Sequence, residues 1–296
     1  MSSSEEIHLI LNPTAGRGRA AALRPRISRF FEERGARAVW HVTRRPGHAS
    51  QIVGELPPGL PAVAVGGDGT VHEVARACAG TGRPMGVLPA GSGNDYVKAL
   101  GIGGDLRRAM EVVLAGEARA VDAGEVNGEF FDNGLGIGFD AEVAAGVVKA
   151  PAYLGGAGRY MWSVARLLWG FTCHPARLSF DDGTAVESET ILVAVALGTT
   201  YGARFRLAPE ARLDDGAFDV VWSDRVSRAE VIRLIPSALR GTLLRHPKVH
   251  MHRAREVEVK LGRVVPAHVD GEILPPTRLF RARVLPGALR VLAPRG

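Results

Sequence analysis

The run Ala64-Val65-Gly66-Gly67-Asp68-Gly69-Thr70-Val71-His72-Glu73-Val74 carries the strongest chemical signal in the chain. Apolar residues that read as a strand pass into three glycines and an acid, and a hydroxyl follows where a helix would start. Glycines let backbone N–H groups approach a phosphate, and a helix N-terminus faces it with positive dipole. A bare carboxylate at Asp68 would repel that phosphate unless a metal ion, or water bound to one, lies between them. The segment therefore reads as a nucleotide site that uses Mg²⁺. Thr70 and Glu73 also fit a plainer role, a Thr-x-x-Glu capping box for the following helix.

Leu88-Pro89-Ala90-Gly91-Ser92-Gly93-Asn94-Asp95 repeats the pattern on the next strand. Ser92 is a candidate cap and Asp95 a dipole neutraliser. A second carboxylate at a neighbouring strand end equally suits a shared Mg²⁺, with Asp122 as a candidate third. Asn12-Pro13-Thr14-Ala15-Gly16-Arg17-Gly18-Arg19 ends the first strand, and no Gly-Lys-Ser/Thr follows, which excludes a Walker A loop. In Asp132-Asn133-Gly134-Leu135-Gly136-Ile137-Gly138-Phe139-Asp140-Ala141 glycines recur every second residue, leaving one strand face bare for close approach. A bulged turn into a helix capped by Asp140 explains that run equally well. Val269-Asp270-Gly271-Glu272 is either a hairpin turn or the source of a general base, a carboxylate that accepts a proton from a substrate hydroxyl. His250 and His252 would share a strand face, but no third ligand stands at metal spacing, so they read as ordinary histidines.

The elements that must position these residues fall into two textures. Ile7–Leu11, Ala38–Val42, Ala62–Val65 and Met85–Leu88 read as strands. Helical patterns alternate with them over 20–34, 48–56, 70–79, 95–100 and 106–114, with Pro25 limiting the first. Strands alternating with helices imply a mostly parallel sheet covered on both faces, with ligands beyond the strands' carboxyl ends. After Asp122, Asn127-Gly128 and Asp182-Gly183 signal hairpins. Strand-like runs over 190–197, 217–222, 257–261 and 279–284 are interrupted by one clear helix, opened by a Ser227/Glu230 capping box. The expectation is an α/β domain over 1–122 and a β-rich, antiparallel, sandwich-like domain over 123–296, with the last strand free to return to the first domain.

The 296 residues are 46% hydrophobic, enough for a large core. Two distant cysteines suggest a reducing compartment, and the acidic N-terminus shows no signal peptide. The longest greasy run, 160–171, is too short to span a bilayer. A net charge of +6 suits an anionic partner, whether nucleotide, nucleic acid or anionic lipid surface, but the excess is scattered arginine without a basic block and by itself decides nothing; the partner expected is a lipid and no nucleic acid.

The ordered set formed by the Asn12, Gly66–Val74, Pro89–Asp95 and Asn133–Ala141 motifs resembles the diacylglycerol kinase catalytic domain, and most of all the soluble bacterial lipid kinases of that family. The resemblance runs from the first strand to Asp270-Gly271-Glu272. It implies a nucleotide-binding α/β domain, a β-rich domain that takes the lipid, and an ATP/Mg²⁺ site in a cleft between them. Asn12, Thr43, Gly66, Gly67, Asp68, Gly69, Thr70, Ser92, Gly93, Asn94 and Asp95 would line the nucleotide, and Asp68, Asp95 and Asp122 would organise the Mg²⁺. Glu272 and Asp270 match the late acidic motif, with Glu272 preferred as the base. Leu213-Asp214-Asp215-Gly216-Ala217 looks like a second, structural Mg²⁺ loop, using Asp215 with backbone carbonyls near Arg212 and Ala217. Arg44-Arg45-Pro46-Gly47 departs from the more acidic loop expected after Thr43. The implied activity is transfer of the ATP γ-phosphate to a lipid hydroxyl, most readily diacylglycerol. The implied setting is cytoplasmic with peripheral membrane contact, and a homodimer is allowed but not demanded. Rival readings are a kinase of the NAD kinase or phosphofructokinase type with a soluble acceptor, and a non-catalytic nucleotide- or lipid-binding protein.

Overall fold

In a computed structural model, which describes residues 5–294 apart from 169, 171 and 203, the chain divides into two units. One holds the chain up to Ala123 and again from Pro286; the other holds Gly124–Leu285. The first contains β1 (Glu5–Leu11), α1 (Arg19–Glu32), β2 (Ala36–Val42), α2 (His48–Glu55), β3 (Ala62–Gly66), α3 (Asp68–Cys78), β4 (Pro84–Pro89), α4 (Asp95–Ala99), α5 (Leu106–Ala115) and the start of β5 (Ala118–Val126). Its strands pair in parallel in the order β2–β1–β3–β4. All five residues of β3 are buried, as a parallel strand covered on both faces requires. The helix over α5 is closed at both ends, by the Asp105 carboxylate on the Arg107 N–H and by Gly116 in the left-handed region.

The second unit takes in the end of β5, then β6 (Glu129–Phe131), β7 (Gly134–Gly138), α6 (Phe139–Lys149), α7 (Gly155–Leu168), β8 (His174–Phe180), β9 (Ala185–Thr190), β10 (Leu192–Ala196), β11 (Phe218–Ser223), α8 (Arg228–Arg240), β12 (Val249–Ala254), β13 (Glu256–Val269) and most of β14 (Glu272–Leu292). Strands pair antiparallel in the order β12–β11–β10–β7–β13, and β13 also pairs β14 and β8. The end of β14 lies in the first unit, where Arg290 and Val291 pair in parallel with Pro84 and Met85 of β4. Asn127-Gly128 and Asp270-Gly271 both turn with two left-handed residues, the type I′ geometry that suits a two-residue hairpin. The α/β and antiparallel β-rich textures read from the sequence are the two folds observed.

Several local expectations are corrected. The helix expected from Thr70 starts at Asp68 with Gly67 at its cap, and no Thr70–Glu73 capping box forms. The helix after β7 is capped by Gly138, which places Asp140 inside its first turn. The cap of α4 is Asn94 rather than Ser92. The β-rich half holds α6, the helix offered as the alternative reading of the run that ends at Ala141, and α7, besides the one clear helix expected. Strands β13 and β14 run well past the 257–261 and 279–284 segments because each keeps a partner along its length. No helix among the described residues is long and apolar enough to cross a membrane.

The capping box of α8 forms as read: the Ser227 hydroxyl accepts from Glu230 N–H, and the Glu230 carboxylate accepts from Ser227 N–H at 2.7 Å. The Lys248 ammonium, the larger influence, and the Ser227 donors hold Glu230 down to about 2. A depressed carboxylate stabilises the fold above its unfolded pKa, and that contribution disappears as pH falls through the folded value. Glu230→Gln is therefore expected to lower thermal stability at neutral pH, with the gap to wild type closing between about pH 4.5 and about pH 2 in urea-melt series.

Candidate active site

Three strand-end loops of the first unit meet with almost no side chains between them. A Cβ on Gly16 would stand 2.1 Å from the Ala90 carbonyl oxygen, and one on Gly67 would stand 3.1 Å from the Gly91 Cα. One on Gly91 would fall 2.4 Å from the Gly67 Cα, and one on Gly93 2.4 Å from an Asp68 carboxylate oxygen. These glycines are thus needed first for packing. Asn12 ties the β1 end to α3, donating from Nδ2 to the Thr70 hydroxyl at 3.2 Å while its Oδ1 accepts from the Thr14 N–H and hydroxyl. Thr43 is buried at the β2 end, with its N–H on the Leu11 carbonyl.

Asp68 sits at the centre of this arrangement. Its Oδ1 accepts from Asp95 N–H at 2.7 Å and its Oδ2 from Asn94 N–H at 2.8 Å, so it supplies the cap that Ser92 was expected to give. Burial, and next the charge of Asp95, push its pKa up against the pull of those two N–H groups and Lys98. Asp95 is itself buried and is paired with the Lys98 ammonium at 2.9 Å. Asp122, also buried, accepts from Gly287 N–H at 2.8 Å. Glu73 reaches away from this group and clamps another helix, its two oxygens accepting from Gly47 and Ala49 N–H at 2.9 Å each at the start of α2.

Gly69 is different from its neighbours. It is exposed, lies in the first turn of α3, and has nothing within 4 Å of where a Cβ would be. A helical glycine costs about 0.5–1 kcal/mol relative to alanine, and no internal contact here offsets that cost. Its open backbone face lies beside Asp68, the arrangement required if a ligand makes the close approach.

In the second unit the Asp270 carboxylate gathers three consecutive amides, accepting from Asp132 N–H at 2.9 Å, Asn133 N–H at 3.0 Å and Gly134 N–H at 2.8 Å. Glu272 is exposed at the first position of β14. Gly134 and Gly138 of β7 serve close packing inside the protein: a Cβ on Gly134 would meet the Tyr201 hydroxyl at 1.9 Å, and left-handed Gly138 faces the Ile191 carbonyl. Asp215 accepts from Ala217 N–H at 3.3 Å and pairs with Arg253, while Arg212 lies 3.3 Å from Asp214. Asp219, which the motif reading passed over, joins this group: Arg253 lies 3.6 Å from it, and burial with the charges of Asp215 and Glu210 raises its pKa against Arg253. An acid inside the otherwise apolar run Phe218-Asp219-Val220-Val221-Trp222 was the available signal.

His250 and His252 face Asp224 and Asp182 at 2.8 and 3.0 Å, the ordinary role expected of them. In the 160–171 run Ser163 and Val164 are buried and Met161 is exposed, so the run is neither wholly core nor wholly surface. Trp169 and Phe171 lie outside the described residues.

A parallel α/β unit with an acid held among glycine loops is thus followed in the chain by an antiparallel β-rich unit. Residues 6–126 match the family model of the diacylglycerol kinase catalytic domain, and residues 133–293 match that of the YegS C-terminal NAD kinase beta sandwich-like domain. A diacylglycerol kinase of Bacillus subtilis (strain 168) is 32% identical over 271 residues, covering 89% of this chain and 88% of the relative. One of Staphylococcus carnosus (strain TM300) is 30% identical over 270 residues, covering 89% and 87%. A crystal structure of a diacylglycerol kinase from Bacillus anthracis str. Sterne shares the fold with a TM-score of 0.76 at 19% identity, over 99% of this chain and 98% of that one. Yeast NADH kinase shares it more distantly, with a TM-score of 0.51 at 10% identity over 98% of this chain and 83% of that one. The chain belongs to the diacylglycerol kinase family. It is a kinase, a phosphotransferase with an alcohol group as acceptor.

Two variants separate packing from ligand contact. Gly69→Ala is expected to hold or raise the melting temperature, since it improves helix propensity, while weakening nucleotide affinity in calorimetry roughly tenfold. Glu73→Ala is expected to do the reverse: it removes two charge-assisted hydrogen bonds, costs about 1.5–3 kcal/mol in denaturant unfolding, and leaves nucleotide affinity of the folded protein within about twofold.

Proposed function

We propose that the protein transfers the γ-phosphate of ATP to a lipid hydroxyl in a Mg²⁺-dependent reaction, with diacylglycerol as acceptor. The observation that carries this reading is the exposed, sterically unexplained Gly69 beside the paired acids Asp68 and Asp95. The names of the relatives and the family match supply the acceptor class.

Asn12, Thr43, Gly66, Gly67, Gly69, Thr70, Ser92, Gly93 and Asn94 line the nucleotide in this reading. Gly69 leaves backbone free to approach its phosphates, and the start of α3 faces them with positive dipole. Asp68, Asp95 and Asp122 would hold Mg²⁺ directly or through water. All three offer oxygen, the donor that hard cation takes, and a cation would offset both the burial that chiefly raises Asp68 and the charge of Asp95 that adds to it. When bound, Mg²⁺ neutralises charge on the phosphates. Asp215, with the backbone carbonyls of Arg212 and Ala217, would hold a second, structural Mg²⁺ in the β-rich unit. The acid excess of Asp215, Asp214 and buried Asp219 suits that role.

Glu272 accepts the proton of the attacking hydroxyl. Asp270, already occupied by three amides, serves to fix the turn from which Glu272 projects. The division follows from exposure and engagement: Glu272 is exposed, whereas three N–H donors already hold the Asp270 carboxylate in its turn. Catalysis on this reading is positioning and charge neutralisation with one proton transfer. The lipid acceptor brings with it contact with a membrane surface and a cytoplasmic setting, where ATP is available.

The deciding experiment gives the purified protein radiolabelled ATP, Mg²⁺ and diacylglycerol in mixed micelles. Label is expected in the lipid, to be lost on chelation of Mg²⁺, and to fall at least about a hundredfold in Glu272→Ala and in Asp68→Ala. Label passing to NAD or a sugar phosphate instead, or turnover surviving in Glu272→Ala, overturns the reading.

A further inference from the structure

Helix α8 has two apolar faces. The inner one is accounted for: Val231 and Ala238 are buried, and Leu234 packs against the clusters around Ile191 and Tyr201. The outer one is not. Ile232 is 55% exposed and Leu239 40%, and Pro236 between them is exposed as well. Spacings of four and seven residues stack these three along a single outward ridge.

The ridge is bordered by positive charge. Arg228 stands at its start, and Arg233 and Arg240, seven residues apart, run along one edge, all three exposed. Arg233 and Arg240 have no carboxylate partner among the described residues. From Asp224 to Lys248 the sequence holds six basic residues and two acids. Both acids are engaged, Asp224 with His250 and Glu230 with Ser227 and Lys248, and Arg225 is paired with Glu189. The outer face therefore presents apolar side chains beside the cations Arg233 and Arg240, the combination that holds a helix in the plane of an anionic bilayer surface. Beneath α8 lies an almost wholly apolar cavity of about 110 Å³, bounded by Phe139, Val164, Leu192, Phe205, Leu234 and Leu243.

We infer that the outer face of α8 is the surface through which this protein docks on a bilayer containing anionic lipid. The inference rests on the lipid-kinase reading only in favouring a bilayer over a protein partner. A neutral surface would leave the arginines unmatched, and a purely electrostatic partner would leave Ile232 and Leu239 in water.

The test is co-sedimentation of the full chain with phosphatidylcholine vesicles, with and without phosphatidylglycerol, in the absence of nucleotide. Binding is expected only with phosphatidylglycerol and is expected to weaken with salt. Arg233→Gln/Arg240→Gln should lower it roughly thirtyfold at low salt. Ile232→Ser/Leu239→Ser should lower it roughly tenfold at any salt, through lost apolar insertion. All four positions are exposed, so the melting temperature should not move. Phosphoryl transfer to a short-chain diacylglycerol without vesicles should also be unchanged in both double variants. That readout reports the kinase reading, whereas vesicle binding without nucleotide reports this one. Wild-type protein that ignores phosphatidylglycerol vesicles, or binding that both double variants retain, overturns the inference. So does a dimer in sedimentation velocity that Ile232→Ser/Leu239→Ser dissolves, which would make the ridge a self-interface.

Discussion

Backbone-to-backbone contact between strand-end loops is the constraint on which the first unit depends. Gly16 lies against the Ala90 carbonyl, and Gly67 lies against Gly91. No side chain larger than hydrogen fits at these points without moving the backbone, and moving it would separate β1, β3 and β4 at the ends where their loops converge. Because the loops touch, the Asp68 carboxylate at the start of α3 reaches the N–H groups that begin α4. One carboxylate thereby ends one loop, starts the next helix and lies next to a second carboxylate. Burial first, and the charge of that neighbour second, push the Asp68 carboxyl up from its ordinary value.

The same device recurs in the second unit with different residues. Asp270 is on a two-residue turn, and its two oxygens take up the consecutive N–H groups of Asp132, Asn133 and Gly134. The β13–β14 turn is thereby fastened to the start of β7. Buried polar groups need partners, and a carboxylate offers more acceptor capacity than any other side chain. In both units, then, an aspartate that looks catalytic in the sequence also holds two loops together. Substitution at either position carries a structural cost as well as a chemical one, so exposed Glu272 and Gly69 report function more cleanly.

Glu73 shows the same economy of acceptors in a purely structural setting. It clamps the start of α2, whose own cap, Gly47, has no side chain to offer. The departure Arg44-Arg45-Pro46-Gly47, which lacks an acid of its own, is matched by an acid from the neighbouring helix.

Local interactions were legible in the sequence because they depend on residues close together along the chain. The alternation of strands and helices, the Asn127-Gly128 and Asp182-Gly183 turns, the α5 helix and the Ser227/Glu230 box all follow from short-range pattern and turn chemistry. The glycine loops were also legible as places of close approach. What approaches them was not: Gly16, Gly67, Gly134 and Gly138 meet other parts of the protein, whereas Gly69 is left open. The identity of a helix cap was equally hidden wherever the acceptor came from elsewhere in the fold. Thr70, Ser92 and Asp140 have the composition of caps, but Gly67, Asn94 and Gly138 hold those positions, and Asp68 and Glu73 supply the carboxylates for α4 and α2. A hydrogen bond depends on distance in space, and residues 26 apart in the chain become neighbours only when the sheet brings their loops together. Tertiary structure alone decided those partnerships, as it decided which face of α8 remained uncovered.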